Sequence, residues 1–174
     1  MSDIYHHENI RIIRSTVGEE FWDNVTNTID NLKCCTIGDE KCYGRFWAFP
    51  ASNKQSKHYH NTIKSWFRDG KIVLLVIGNA DRGYSRIVHV THTVTLKNTP
   101  LWPTNGEQEW SLGVGVSAPF ETKYSAREMR DAGGSWGPNP YTVYKDDKEF
   151  NMKRMFFRTD GFPIWFDGVV KGIF

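Results

Sequence analysis

The chain has 174 residues, 39% of them hydrophobic, and a formal net charge of +2, which suits one domain able to bury a core without staples. No apolar run approaches the ~20 residues needed to span a bilayer, and the opening MSDIYHHENIRIIR lacks the apolar centre of a signal peptide. Cys34, Cys35 and Cys42 are odd in number and bunched, which argues against a secreted disulfide framework and for an intracellular protein, cytoplasmic or nuclear.

Residues 1–42 read as a helical N-terminal extension. Within it Phe21, Trp22, Val25, Ile29 and Leu32 recur at helical spacing over 19–32, and Glu19 and Glu20 suit the positive end of that helix. RFWAF at 45–49 is a short aromatic strand closed by Pro50. Residues 56–67 form a second helix with Tyr59, Ile63, Trp66 and Phe67 on one side. After an Asp69-Gly70 turn come a buried-type strand at 71–77 (KIVLLVI) and a turn-rich loop at 78–84. A long alternating strand follows at 85–96. On it Val88, Val90, His92, Val94 and Leu96 share one face; His89, Thr91, Thr93 and Thr95 share the other. His92 therefore reads as a core histidine satisfied by a neighbour rather than as a ligand.

A Pro- and Gly-rich connection leads to a strand at 110–116, where Gly113 and Gly115 mark a bulge or a close approach by another group. A short helix at 123–132 and a rigid loop at 133–141 (GGSWGPNPY) follow. Strands at 153–159 and 163–170 flank an Asp160-Gly161 turn. Five to six strands with two to three flanking helices give an α+β class, most simply a small mixed β-barrel in one domain.

Charge is unevenly spread. Residues 45–100 hold nine Lys/Arg against Asp69 and Asp81, a local net charge of +7, interleaved with Trp47, Tyr59, Trp66 and Tyr84. Cations neutralise phosphates and flat side chains stack on bases, so this segment suits a nucleic-acid groove. A solvated basic face on an ordinary domain fits the same count. Seven Trp and eleven Phe must fill either a core or a stacking surface.

The order of an aromatic strand, a Trp-bearing helix, an Arg-Asp-Gly-Lys turn, a strand pair and a Trp-containing loop resembles the PUA-like superfamily. Within it the chain is most similar to YTH and EVE domains, over residues 43–120. RFWAFPAS (45–52) looks like their opening strand, YHNTIKSWF (59–67) like their Trp-delivering helix, and IGNADRGYSRIVHV (77–90) like their hairpin. TPLWPTNGEQEWSLGVGV (99–116) resembles the segment holding a second pocket aromatic. The hairpin strand lacks the usual glycine at Ile87, and residues 1–42 have no counterpart. The resemblance implies a PUA-like barrel over 43–174 that binds single-stranded RNA or DNA and takes one nucleotide, base-modified in those families, into an aromatic pocket. Trp66, Trp102 and Trp110 are its candidate walls, and the main chain near Ser52 and Asn53 would read the base edge. Arg45, Lys64, Arg68, Lys71, Arg82 and Arg86 would hold the flanking phosphates. Such a ring can return roughly 1–3 kcal/mol per stacked base. Trp66 shares a helix side with Tyr59 and Ile63, so a core role competes with the cage.

Other chemistry is thinly represented. The three cysteines with His58 and His60 lack the paired CxxC spacing of a zinc site, and read better as small buried residues. No G-x-S-x-G, H-E-x-x-H or P-loop motif occurs, and Gly113-Val114-Gly115 is too short for a dinucleotide fingerprint. The triplets at 39–41 and 146–148 resemble nuclease carboxylate-lysine endings but are also common solvated turns. The expectation is a non-enzymatic reader with no cofactor, metal or membrane partner. Two alternatives stand beside it. One is an enzyme on the same barrel with Lys71, His58 or His60 titrating; the other is a protein-interaction module using the acidic N-terminal segment and the 133–141 loop.

Overall fold

An unbroken run of Ile, Val and Leu at 72–77 can be buried only in a strand covered on both faces, and the architecture is built around that strand. The computed structural model describes residues 9–18, 22–37, 40–49, 54–79, 84–95, 112–125, 127–129, 141–143 and 146–172. In chain order the elements are β1 (Ile10–Thr16), α1 (Trp22–Val25) continued by a π-helical turn (Thr26–Asp30), β2 (Lys33–Ile37) and β3 (Glu40–Phe49). Next come α2 (Lys54–Arg68), β4 (Ile72–Gly78), β5 (Ser85–Thr95), β6 (Leu112–Val116), β7 (Phe120–Thr122) and β8 (Tyr141–Val143), then α3 (Asp146–Phe157) and α4 (Phe162–Val170). The class is α+β.

The strands form one sheet in the order β2-β3-β6-β5-β4-β1-β8, with β7 also paired to β5. All pairs are antiparallel except β1 with β4, which run parallel with Ile13 beside Leu75. A parallel pair needs a long crossover, and here it is supplied by α1, the β2–β3 hairpin and α2. Among the described residues the two end strands, β2 and β8, do not pair with each other. The expected barrel is therefore an open sheet: β1 and β8 occupy the edge of β4 that closure would have required.

Alternation along β4 divides the interior in two. Val73, Leu75 and Ile77 join Phe46, Trp47, Phe49, Val88, Val90 and Val114 in one core, roofed by Trp22, Val25, Ile29 and, from α2, Ile63. Leu74 and Val76 join Ile10, Ile12 and Ile87 in the other, covered by Met152 and Phe156 of α3 and Phe162, Trp165 and Phe166 of α4. The second core is strongly aromatic. Phe120, Phe156, Phe157, Trp165 and Phe166 each lie within 6.0 Å of Phe162, ring centre to ring centre. Much of the chain's aromatic content is thus core rather than stacking surface.

Four expectations change. Within residues 1–42, read as a helical extension, 10–16 form a strand inside the sheet and 33–37 and 40–42 belong to β2 and β3; in β1 Ile10 and Ile12 face one core and Ile13 the other, so no clean alternation marks it. The helix expected at 19–32 is described only over 22–30, the second half as a π turn. The strands expected at 153–159 and 163–170 are helical instead: the first falls on the end of α3 and the turn after it, the second in α4, which starts after Gly161, at φ +83°, with Pro163 in its first turn. Finally, the alternation of β5 breaks. Val90 pairs with Val116, yet His92 pairs with Gly115. The extra residue is a bulge that turns His92 away from the first core, and it is exposed.

Candidate nucleic-acid interface

The sequence of α2 contains neither Gly nor Pro, and its two sides differ sharply. Ser56, His60 and Ile63 are buried and Tyr59, Trp66 and Phe67 are half-buried, making the inward side. Lys54, Lys57, Asn61, Lys64 and Arg68 are exposed at steps of three and four residues, which aligns them along one outer ridge. At 1.5 Å per residue that ridge is about 21 Å long. No Asp or Glu occurs in the helix.

The charge is placed against the helix's own electrostatics at one end. Arg68 sits in the last turn, where a cation is favourable, and its guanidinium donates to Ser65 Oγ at 3.1 Å. Lys54 and Lys57 sit in the first turn, which carries no acid. Cations there oppose the macrodipole at a cost of roughly 0.3–1 kcal/mol each, whereas an anion is welcomed.

Of the six cations proposed for phosphate, Lys64 and Arg68 fall together on this ridge. Lys71 lies half-buried just beyond it, its N–H donating to the Trp66 carbonyl at 2.8 Å. Arg45 and Arg86 are elsewhere, beneath the π turn. Arg45 Nε donates to the Ile29 carbonyl at 2.9 Å. Arg86 grips Asp30 through two bonds of 2.9 and 3.3 Å, lies 3.7 Å from Glu121, and stacks over Tyr84, which in turn meets Trp22 edge-on. Both arginines pin the end of the π turn to the sheet. Trp66 packs against the first core. Arg82, Ser52, Asn53, Trp102 and Trp110 lie outside the described residues. The ridge adds Lys54 and Lys57, whose three-and-four spacing through Asn61 to Lys64 and Arg68 is visible in the sequence itself.

The titratable candidates separate as clearly. His58 is exposed, whereas His60 is buried with Nε2 2.9 Å from the Gly113 carbonyl. Burial chiefly lowers the His60 pKa; the Gly113 bond opposes the shift and the charge of Lys64 adds to it. Burial also lowers that of His89, and raises that of Tyr59 against the charge of Arg14. Asp146, Asp147 and Lys148 form the first turn of α3, a position where acids suit the helix dipole. Among the described residues no three His, Cys, Asp or Glu are grouped to hold a metal ion, and no helix is long and apolar enough to cross a membrane.

The chain matches no protein-family model and no curated protein.

Proposed function

We propose that the protein binds single-stranded nucleic acid, with the phosphate backbone lying along the outer ridge of α2 on Lys54, Lys57, Lys64 and Arg68. The observation that carries this reading is that ridge: four exposed cations in register, no acid on the helix, and two of them in the turn where an anion relieves their cost. Lys71 extends the same charge toward β4. Arg45 and Arg86 take a structural part instead. Base recognition, in the PUA-like and YTH/EVE sense, falls to Trp102 and Trp110, with Trp66 at the core side of the same helix. A modified base would be held by stacking between these rings.

The test is anisotropy binding to short single-stranded RNA and DNA, with and without methylated bases, at two salt concentrations. Binding that weakens with salt and with Lys57→Ala plus Lys64→Ala supports the ridge. Preference for one modified base, lost in Trp102→Ala or Trp110→Ala, supports the pocket. Absence of binding at low salt overturns the proposal.

A further inference from the structure

Cys35 of β2 and Cys42 of β3 are register partners, directly opposite each other in the antiparallel ladder. From this juxtaposition we infer that Cys35 and Cys42 form a reversible intramolecular disulfide that staples the hairpin, leaving Cys34 as a thiol. Opposed residues in antiparallel strands have Cα atoms about 4.5–5.5 Å apart, inside the roughly 4.4–6.8 Å that a disulfide spans. Counting by two from the terminal Ile37–Glu40 pair makes Cys35–Cys42 a hydrogen-bonded pair, with Cα atoms about 5.5 Å apart, so closing the bond also draws the two Cβ atoms together. The pairing is also selective. Cys34 is opposite Tyr43 and lies on the other face of the strand, and a bond between the adjacent Cys34 and Cys35 would force the strand out of extended geometry.

The site lies at a margin of the molecule. β2 is the terminal strand of the sheet order, and its pairing with β3 runs to Ile37 opposite Glu40. β3 continues from Cys42 to Arg45, which holds the Ile29 carbonyl. A staple here fixes the start of the strand from which that contact is made.

The chemistry balances with a low-molecular-weight disulfide as oxidant, for which oxidised glutathione is the probe. The thiolate of one cysteine attacks a glutathione sulfur, forming a mixed disulfide and expelling one glutathione thiolate. The second cysteine gives its proton to solvent and attacks the protein-side sulfur, expelling the second. Two protein thiols are oxidised and one glutathione disulfide is reduced to two thiols.

The full chain is equilibrated over a series of reduced-to-oxidised glutathione ratios, alkylated and digested with trypsin without reduction. Cleavage after Lys33, Lys41 and Arg45 separates Cys42 from the other two cysteines. The expected product is peptide 34–41 bonded to peptide 42–45 with one alkylated cysteine, formed and lost reversibly with the ratio. Cys34→Ser retains this product, and Cys35→Ser loses it. A bond that disappears in Cys34→Ser, one that joins two chains only, or none at any ratio overturns the inference; the unsubstituted protein already decides the last two.

Discussion

The imidazole of His92 lies against the backbone of Gly115, in the space that a Cβ on that glycine would need. Its Nδ1 is 2.8 Å from Thr91 Oγ1, which itself donates to the Gly115 carbonyl at 3.0 Å. This is the close approach that the glycines of β6 announced. His92 is exposed and can swing aside, so Gly115→Ala should forfeit about one hydrogen bond, roughly 0.5–1.5 kcal/mol. In a His92→Ala background the same substitution no longer meets the imidazole. There it should stabilise by roughly 0.5–1 kcal/mol, because alanine loses less backbone entropy than glycine on folding. Urea unfolding of the four members of the cycle measures the difference between the two backgrounds; additive effects would contradict the contact.

Arg86 and Asp30 predict a second, larger effect. Their side chains are 11% and 26% exposed, and the pair joins β5 to the end of the π turn. Arg86→Ala leaves the Asp30 carboxylate partly buried without its guanidinium, and should cost roughly 2–3 kcal/mol, somewhat below the range for fully buried pairs. Arg86→Lys should recover little, since an ammonium cannot bond both carboxylate oxygens in a planar fork. Denaturant midpoints decide this. A loss within about 0.5 kcal/mol would class the pair with ordinary surface salt bridges.

Where local pattern and final burial agree, the sequence was legible. α2 shows a helical stripe, and β4, β5 and β6 show apolar runs or alternation bounded by turns; all four were placed within a few residues. The second core was not legible. FPIWFDGVV carries Phe162, Trp165, Phe166 and Val169 at helical spacing, but its β-branched and aromatic composition reads equally as a strand. Pro163 near the start of the segment was the helix signal to weigh. β1 was hidden for a different reason: a strand buried on both sides has no period of two to detect. Once that strand is missed, the open sheet looks like a barrel. Of the candidate site, charge was visible from composition, but separating the solvent-facing Lys64 and Arg68 from Arg45 and Arg86 required knowing where the π turn ends.

That separation gives a prediction for binding. Neutralising four phosphates on a single strand should give a slope of log K against log salt of roughly −0.7 per contact, or about −3 in all. Replacing Lys54, Lys57, Lys64 and Arg68 together by alanine should remove nearly all of it. Arg45→Ala should leave the slope unchanged under conditions where the variant remains folded, because its Nε is engaged with the Ile29 carbonyl. A slope that shrinks by about 0.7 in Arg45→Ala would place a phosphate beneath the π turn instead.

His60 and His89 give the pH dependence its sign. Burial disfavours the charged form of each, so both folded pKa values lie below the ordinary value. The unfolded chain then binds more protons than the folded one as pH drops below about 6.5. The stability associated with the neutral imidazoles is complete above that pH and is lost as pH falls toward the folded values. Each histidine contributes at most about 1.4 kcal/mol per pH unit to the slope. The His89 Nδ1 is buried with no hydrogen-bond partner among the described residues, so leucine at that position removes a desolvated polar atom and a titrating group together. Urea midpoints taken between about pH 7.5 and pH 5 should fall in the unsubstituted protein and fall less steeply in His89→Leu. An unchanged slope in His89→Leu would assign the acid sensitivity to His60 or to the carboxylates, and would mean that His89 is solvated enough to protonate without cost.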